Sequence, residues 1–133
     1  MILLETQEWA LLAAHAAAEK KATDVIVLDV ASTIVITDYF IIASGSTDRQ
    51  VRAIAEEIED RLREAGLRAI GREGEREAKW ILLDFGDIVA HIFQPDERGF
   101  YRLEKLWSDA GRVALPDEVV NVSAALETET DAS

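Results

Sequence analysis

Residues 80–93 read WILLDFGDIVAHIF, two strand-like apolar runs on either side of a central Gly86-Asp87 pair. Glycine and aspartate are favoured in the short turns of β-hairpins, and the flanking runs are rich in β-branched and aromatic residues. The stretch therefore predicts a tight antiparallel hairpin. Because side chains alternate along a strand, both faces of this hairpin are largely apolar. The two faces carry Trp80, Leu82 and Asp84, and Ile81, Leu83 and Phe85, respectively.

Upstream of the hairpin, the chain predicts a helix followed by two strands. Residues 6–21 place apolar and alanine residues at helical spacing. Residues 25–30 and 38–43 are β-branched and nearly all apolar, which is typical of strands buried on both faces. The short run 34–36 either extends one of these strands or forms a separate turn.

A second helix is predicted after Thr47. Thr47 and Gln50 have the spacing of a capping box, and Gly66 is suited to end the helix. The intervening apolar stripe consists of Val51, Ile54, Ala55, Ile58 and Leu62. Residues 67–70 then predict a short strand, and residues 71–77 a charged, glycine-punctuated loop.

Beyond the hairpin, residues 96–109 predict a third helix that ends at Gly111. Its apolar side, expected in the core, carries Phe100, Leu103, Leu106 and Trp107. After Pro116 no adequate apolar pattern remains, so an acidic, disordered tail is expected. We divide the chain into a domain over residues 1–112 and a tail over residues 113–133.

The predicted order of elements is α-β-β-α-β-β-β-α. It combines a strand-to-helix connection with a hairpin, and both are found together in mixed sheets. The predicted fold class is α/β or α+β, a single domain with a mixed sheet flanked mainly by the two longer helices.

Composition restricts the classes of function. With 133 residues the chain has the size of one domain. Its 26 acidic and 14 basic residues give a net charge of −12, which opposes binding to a phosphate backbone and favours a basic protein partner. The absence of cysteine excludes disulfides and thiolate chemistry. Because no apolar run approaches the ~20 residues of a membrane span, we expect a soluble, cytoplasmic protein.

Enzymatic chemistry finds little support in the residues. Gly45-Ser46 lies after a strand and before a helix, where a phosphate can bind, as in nucleotidyltransferases. Such enzymes also need paired metal-binding carboxylates, and Asp84 and Asp87 are three positions apart across a turn. An ordinary helix cap is favoured, and His91 is expected to be structural. We predict no catalytic, cofactor-binding or metal-ligating residue.

Four ordered blocks of sequence resemble the ribosomal silencing factor, or Iojap-like, family, and together they cover about residues 6–110. The blocks are Asp29-Val30 with residues 37–45, residues 46–51, residues 80–87 with His91-Ile92-Phe93, and residues 101–107. The resemblance implies a mixed-sheet domain similar to the nucleotidyltransferase fold, without its catalytic carboxylates and without enzymatic activity. It also implies binding to the large ribosomal subunit through its fourteenth protein, which blocks joining of the small subunit when nutrients are scarce.

The resemblance places the partner-facing surface on the block from Trp80 to Asp87. The residues expected there are Lys79, Trp80, Leu82, Asp84, Phe85, Gly86 and Asp87, with Phe93 and Pro95 beside them. Trp80 is the expected anchor, although the residues alone allow it equally to be core. Asp84 and Asp87 are expected to pair with basic residues, and Phe85 stands where many members have tyrosine. The alternatives are a nucleotide-binding protein, a large-subunit assembly factor, and a homodimer through the same hairpin surface.

Overall fold

The central hairpin forms as the sequence predicts, within a computed structural model that describes residues 5–32, 36–116 and 119. In these residues the helices are α1 (Thr6–Glu19), α2 (Asp48–Glu64), α3 (Pro95–Tyr101) and α4 (Leu103–Leu106). The strands are β1 (Thr23–Asp29), β2 (Tyr39–Ser44), β3 (Gly71–Glu73), β4 (Trp80–Asp84), β5 (Ile88–Phe93) and β6 (Gly111–Arg112).

The strands form one mixed sheet in the order β3-β4-β5-β2-β1-β6. The central pair, β2 and β5, is parallel, and the other pairs are antiparallel. The predicted α/β (α+β) domain with a mixed sheet is confirmed.

One face of the sheet is covered by α1 and α2. The apolar stripe predicted for α2 is buried throughout, and α1 contributes a row of buried alanines, whose small side chains let the helix lie close to its neighbours. Ile81, Leu83 and Phe85 of the hairpin face this larger core. The alternation predicted for β4 is therefore confirmed.

The opposite face carries a smaller core. Leu28, Val30, Phe40, Ile42 and Phe93 are buried there, and Leu103 and Trp107 pack against them from α4 and the residue after it. The α3–α4 segment covers only part of this face, since a groove stays open beside the β4–β5 turn. This partial cover leaves room for the candidate site.

The single third helix predicted for residues 96–109 is wrong. Arg102 adopts a left-handed conformation (φ 49°, ψ 52°), which separates α3 from α4. The break rotates the second segment, so that Trp107 packs on the sheet while Phe100 is 80% exposed and Leu106 is exposed. Gly111 does not simply end a helix, since it pairs with Asp29 in β6, a strand the sequence pattern did not reveal.

The strand predicted at residues 67–70 is displaced along the chain. β3 occupies Gly71–Glu73, inside the predicted charged loop, and pairs with β4. An ion pair between Arg72 and Glu59 of α2 holds this edge strand against the helix. Leu67 and Ala69 pack on the larger core as irregular chain, which accounts for their apolar character.

Half of the predicted capping box at α2 forms. Thr47 Oγ1 accepts a hydrogen bond from the backbone N–H of Gln50 at 3.0 Å. The Gln50 side chain does not return to Thr47; it accepts from the N–H of Ser46 at 2.7 Å and donates to the carbonyl oxygens of Lys20 and Lys21. It thereby links the start of α2 to the end of α1.

Two predictions fall wholly or partly outside the described residues. Residues 33–35 are outside them, so the interpretation of run 34–36 is not tested. Within the segment assigned to the tail, Val113 and Leu115 pack against the larger core, and Val119 is buried in it. The position at which the tail begins stays a prediction.

Candidate partner-binding face

The residues predicted to face a partner lie on or beside the β4–β5 hairpin, at three different depths. Lys79, Asp87 and Pro95 are exposed, whereas Trp80, Leu82, Asp84 and Gly86 are partly buried. Phe85 is only 4% exposed and Phe93 is fully buried. The hairpin thus brings the first two groups to the surface and buries both phenylalanines in the free chain.

The two buried phenylalanines support the face from within. Phe85 packs in the larger core beneath the turn, and its backbone N–H donates to the Ile88 carbonyl at 3.0 Å. Phe93 lies under the indole of Trp80, with ring centroids 4.8 Å apart in a stacked arrangement. Both side chains therefore pack beneath the predicted surface, and their contact with a partner stays a prediction.

Trp80 is held between three side chains. Besides Phe93 below it, Tyr101 of α3 lies with its ring centroid 4.6 Å away, and the indole Nε1 donates to Nδ1 of His91 at 3.1 Å. The indole is packed against the smaller core yet stays partly exposed. Because its N–H is already bonded, the surface it offers to a partner is apolar.

His91 is a buried, neutral histidine. Its side chain packs edge-on against Phe40, with centroids 4.8 Å apart, and burial lowers its pKa from 6.5 to about 4. An indole only donates, so Nδ1 of His91 accepts and the ring proton is on Nε2. Nε2 has no hydrogen-bond partner among the described residues. The structural role predicted for His91 thus consists of packing against Phe40 and accepting the hydrogen bond from Trp80.

The hairpin turn depends on Asp84 and Gly86. One carboxylate oxygen of Asp84 accepts from the backbone N–H of Gly86 at 2.8 Å. Gly86 has φ 90°, and a Cβ on it would lie 3.2 Å from Cδ1 of Ile70. The carbonyl of Asp87 accepts from the N–H of Asp38 at 2.8 Å, which fixes the turn to the start of β2. One oxygen of Asp84 is therefore used within the turn, and the other is left to interact with a basic partner.

Beside the turn lies an apolar groove of about 390 Å³ on the smaller-core face of the sheet. Leu82, Asp84 and Gly86 of the predicted surface line it. The sequence interpretation missed the other lining residues, which are Ile36, Thr37, Phe40, Ile70, Val89 and His91. Two of them, Ile36 and Ile70, are isoleucines in irregular segments, and both are exposed. An apolar residue in such a segment was the signal that could have identified them. No lysine or arginine lines this groove within the described chain.

The Gly45-Ser46 corner, for which a helix cap was predicted, does not leave Ser46 free to bind a phosphate. The N–H and the hydroxyl of Ser46 are both bonded to the Gln50 side chain, at 2.7 and 3.0 Å. Across the residues described, no group of three or more histidines and carboxylates is placed to hold a metal ion. In the same residues, no helix has the length and apolar character to cross a bilayer.

A family model described as "Ribosomal silencing factor during starvation" matches residues 4–133. The chain belongs to this ribosomal silencing factor family. A protein from Bacillus subtilis named ribosomal silencing factor RsfS is 48% identical over 99 residues, which cover 74% of this chain and 84% of that one. The resemblance seen in the sequence blocks is thereby confirmed.

Two further relatives of this silencing factor domain bear on fold and role. A crystal structure of a protein from Chromobacterium violaceum superposes with a TM-score of 0.77 at 37% identity, covering 79% of this chain and 88% of that one. A mouse protein named mitochondrial assembly of ribosomal large subunit protein 1 is 32% identical over 93 residues, 68% of this chain and 41% of that one. The family is named for a regulatory role at the ribosome.

Proposed function

We propose that this chain binds the large ribosomal subunit through its fourteenth protein and blocks joining of the small subunit, repressing translation when nutrients are limited. The observation that carries the proposal is the apolar face of the hairpin, where Trp80 contacts Phe93, Tyr101 and His91 and stays partly exposed beside a groove. Large aromatic side chains fixed in such surroundings are frequent anchors of protein interfaces. Membership of the silencing factor family supports the ribosome as the place of binding.

The contacts are divided between apolar and acidic groups. Trp80 and Leu82 supply apolar area, while Asp87, which is exposed, and the remaining oxygen of Asp84 attract basic residues of the ribosomal protein. Lys79 and Pro95 lie at the exposed margin. Gly86 keeps the turn in shape. Phe85 and Phe93 hold this surface from inside.

The mechanism is steric and does not involve catalysis. A domain seated on the face of the large subunit that meets the small subunit occupies the space the small subunit needs. The net charge of −12 also opposes joining of the small subunit, because it repels the phosphate backbone of that subunit's RNA. An acidic body is also suited to a basic ribosomal protein.

Co-sedimentation with isolated large subunits tests the binding step. Trp80→Ala is expected to weaken binding by about 2 kcal/mol or more, since a central aromatic anchor is lost. Trp9→Ala is the matched control, because Trp9 is a partly buried tryptophan that packs on the larger core across the sheet. If a folded Trp80→Ala variant bound as tightly as the Trp9→Ala variant, the anchor assignment would be wrong.

A second candidate is an assembly factor of the large subunit. The mouse relative's name, with its reference to assembly of the large subunit, is the observation that favours it. This function predicts binding to immature large subunits without an effect on joining of mature ones. Sedimentation of immature and mature subunits with the protein separates the two functions.

A further inference from the structure

The segment that joins β3 to β4 lies directly beside Trp80. This 74–79 loop lines a pocket of about 430 Å³ together with α3, and Trp80 lines the same pocket. The lining residues of α3 are Glu97 and Tyr101, and the ring of Tyr101 also contacts the indole. The position of the loop therefore determines the shape of the surface around Trp80.

The loop passes very close to the backbone of Trp80 and contains a strained residue. Gly74 has φ 85°, and a Cβ added to it would overlap the carbonyl oxygen of Trp80. Ala78 is buried and has φ 54°, a left-handed conformation that is uncommon for a residue with a Cβ. Such a conformation persists only where the surrounding structure holds it. Contacts from outside the loop are therefore needed to keep it in place.

Gln94 supplies the first of these contacts. Its side-chain Nε2 donates to the carbonyl oxygen of Ala78 at 3.1 Å and to Oδ1 of Asp48 at 2.5 Å. Its backbone N–H donates to the carbonyl oxygen of Lys79 at 2.8 Å. Gln94 is also the residue from which α3 begins, and Asp48 is the first residue of α2. One side chain thus connects the loop to two helices.

Arg52 supplies the second contact. Its Nε donates to the carbonyl oxygen of Glu75 at 3.1 Å, and its Nη2 donates to that of Arg76 at 2.5 Å. The planar guanidinium makes both bonds from one fixed geometry. Arg52 lies one helical turn after Asp48, so both residues are on the same face of α2. The first turns of α2 therefore hold the loop at three carbonyl oxygens, directly or through Gln94.

We propose that Gln94 and Arg52 are positioning residues, which set the place of Trp80 on the partner-binding face by fixing the 74–79 loop against its backbone. This inference rests on the proposed function and adds the way in which the anchor is held. Neither residue belongs to the predicted partner-facing set. The role of each is to act through Trp80 rather than to contact the partner.

A pair of glutamine variants tests the role of Gln94 in binding. Gln94→Met removes both side-chain hydrogen bonds and keeps a similar length. Gln50→Met is the matched control, because Gln50 also donates to two backbone carbonyl oxygens near the start of α2, those of Lys20 and Lys21. In co-sedimentation with large subunits, we expect Gln94→Met to raise the Kd at least about 5-fold and Gln50→Met to stay within about 2-fold. Equal binding of the two variants would overturn the proposal.

A double-mutant cycle shows whether the effect passes through Trp80. In a Trp80→Ala background, Gln94→Met is expected to change the Kd by less than about 2-fold, because the side chain to be positioned is gone. A general structural role would weaken binding by the same factor in both backgrounds, and that result would contradict the proposal. Arg52→Met is expected to behave like Gln94→Met. Arg63→Met, which removes the same charge from an exposed ion pair of α2, is its control.

The free protein gives a second readout that does not depend on the ribosome. The chain has three tryptophans, and the indole N–H signal of Trp80 in an NMR spectrum is identified by its loss in Trp80→Ala. This N–H is bonded to Nδ1 of His91, so its signal is sensitive to the position of the indole. We expect Gln94→Met and Arg52→Met to shift this signal and to leave those of Trp9 and Trp107 in place. An unmoved Trp80 signal, or an equal shift of all three, would overturn the proposal.

The two readouts separate this inference from the function on which it rests. If the unsubstituted protein binds large subunits and the Trp80 signal does not respond to either variant, the positioning role fails while the proposed function stands. If the unsubstituted protein does not bind, the proposed function fails. The indole signals then still decide whether Gln94 and Arg52 position Trp80.

Discussion

The indole Nε1 of Trp80 donates a hydrogen bond to Nδ1 of His91 at 3.1 Å, from one strand of the hairpin to the other. This bond joins a side chain that reaches the surface to one that is buried. It also selects the neutral form of His91, because a protonated imidazole has no acceptor to offer. The orientation of Trp80 on the partner-binding face is therefore coupled to the protonation of His91.

The stability of the protein is expected to depend on pH through His91. Burial lowers its pKa to about 4, whereas the unfolded chain titrates near 6.5. Between these values the unfolded state binds more protons, so the stabilisation is fully present above pH 6.5 and is lost as the pH falls toward 4. The total loss is about 3 kcal/mol.

Urea denaturation of the unsubstituted protein and of His91→Gln, at several pH values from 7 to 4, measures this effect. The carboxylates titrate in both proteins, so the difference between the two curves isolates His91. As the pH is lowered, we expect the unsubstituted protein to lose free energy of unfolding relative to His91→Gln. Parallel curves would show that burial does not hold His91 neutral.

Gly86→Ala is expected to destabilise the hairpin turn. Gly86 has φ 90°, which is strained for any residue with a Cβ, and the added carbon would press on Cδ1 of Ile70 at 3.2 Å. The expected loss is about 1–3 kcal/mol in the free energy of unfolding, with weaker binding to large subunits. Gly99→Ala is the control, because Gly99 lies in α3 and a Cβ added to it would meet nothing within 4 Å. Equal effects at the two glycines would contradict the account of the turn.

Arg98 is expected to be the residue that fastens α3 and α4 to the sheet. Its guanidinium donates to the Ser44 hydroxyl at 2.7 Å and to the Glu104 carboxylate at 3.1 Å. Arg98→Ala leaves Glu104 without its partner in a largely buried place, at an expected cost of about 3 kcal/mol. Because α3 carries Tyr101 against Trp80, tryptophan fluorescence is expected to change as well.

Arg63→Ala provides the comparison for Arg98→Ala. Arg63 pairs with Asp60 at 2.6 Å on the exposed side of α2, and such pairs contribute less than about 1 kcal/mol. Chemical denaturation of both variants measures the difference. Similar losses in the free energy of unfolding of the two variants would show that Arg98 does not fasten α3 and α4 to the sheet.

Elements with a strong periodic pattern were predictable from the sequence. The hairpin showed two runs of β-branched and aromatic residues around Gly86-Asp87, and α2 showed an apolar stripe bounded by Thr47 and Gly66, so local sequence patterns were enough. The break at Arg102 was not predictable, because arginine has no preference for a left-handed backbone and the apolar spacing is continuous across it. The short strand at Gly111 depends on pairing with β1, which no local pattern records.

The candidate site was predictable only in part. Trp80 and its neighbours follow from alternation and from the family resemblance, but Ile36, Thr37 and Ile70 reach the groove from segments distant in sequence. The depth of Phe85 and Phe93 was also missed, because alternation assigns a side chain to a face without showing what covers that face. The lack of a hydrogen-bond partner for Nε2 of His91 among the described residues becomes visible only in three dimensions.

We propose that this protein, through the face around Trp80, prevents the ribosomal subunits from joining. The most direct measurement is light scattering as small subunits are added to large subunits preincubated with the protein, the Trp80→Ala variant or the Trp9→Ala variant. We expect dose-dependent loss of joining with the unsubstituted protein and with Trp9→Ala, and much weaker inhibition with Trp80→Ala. Full joining in the presence of saturating protein that is bound to the large subunit would contradict the account.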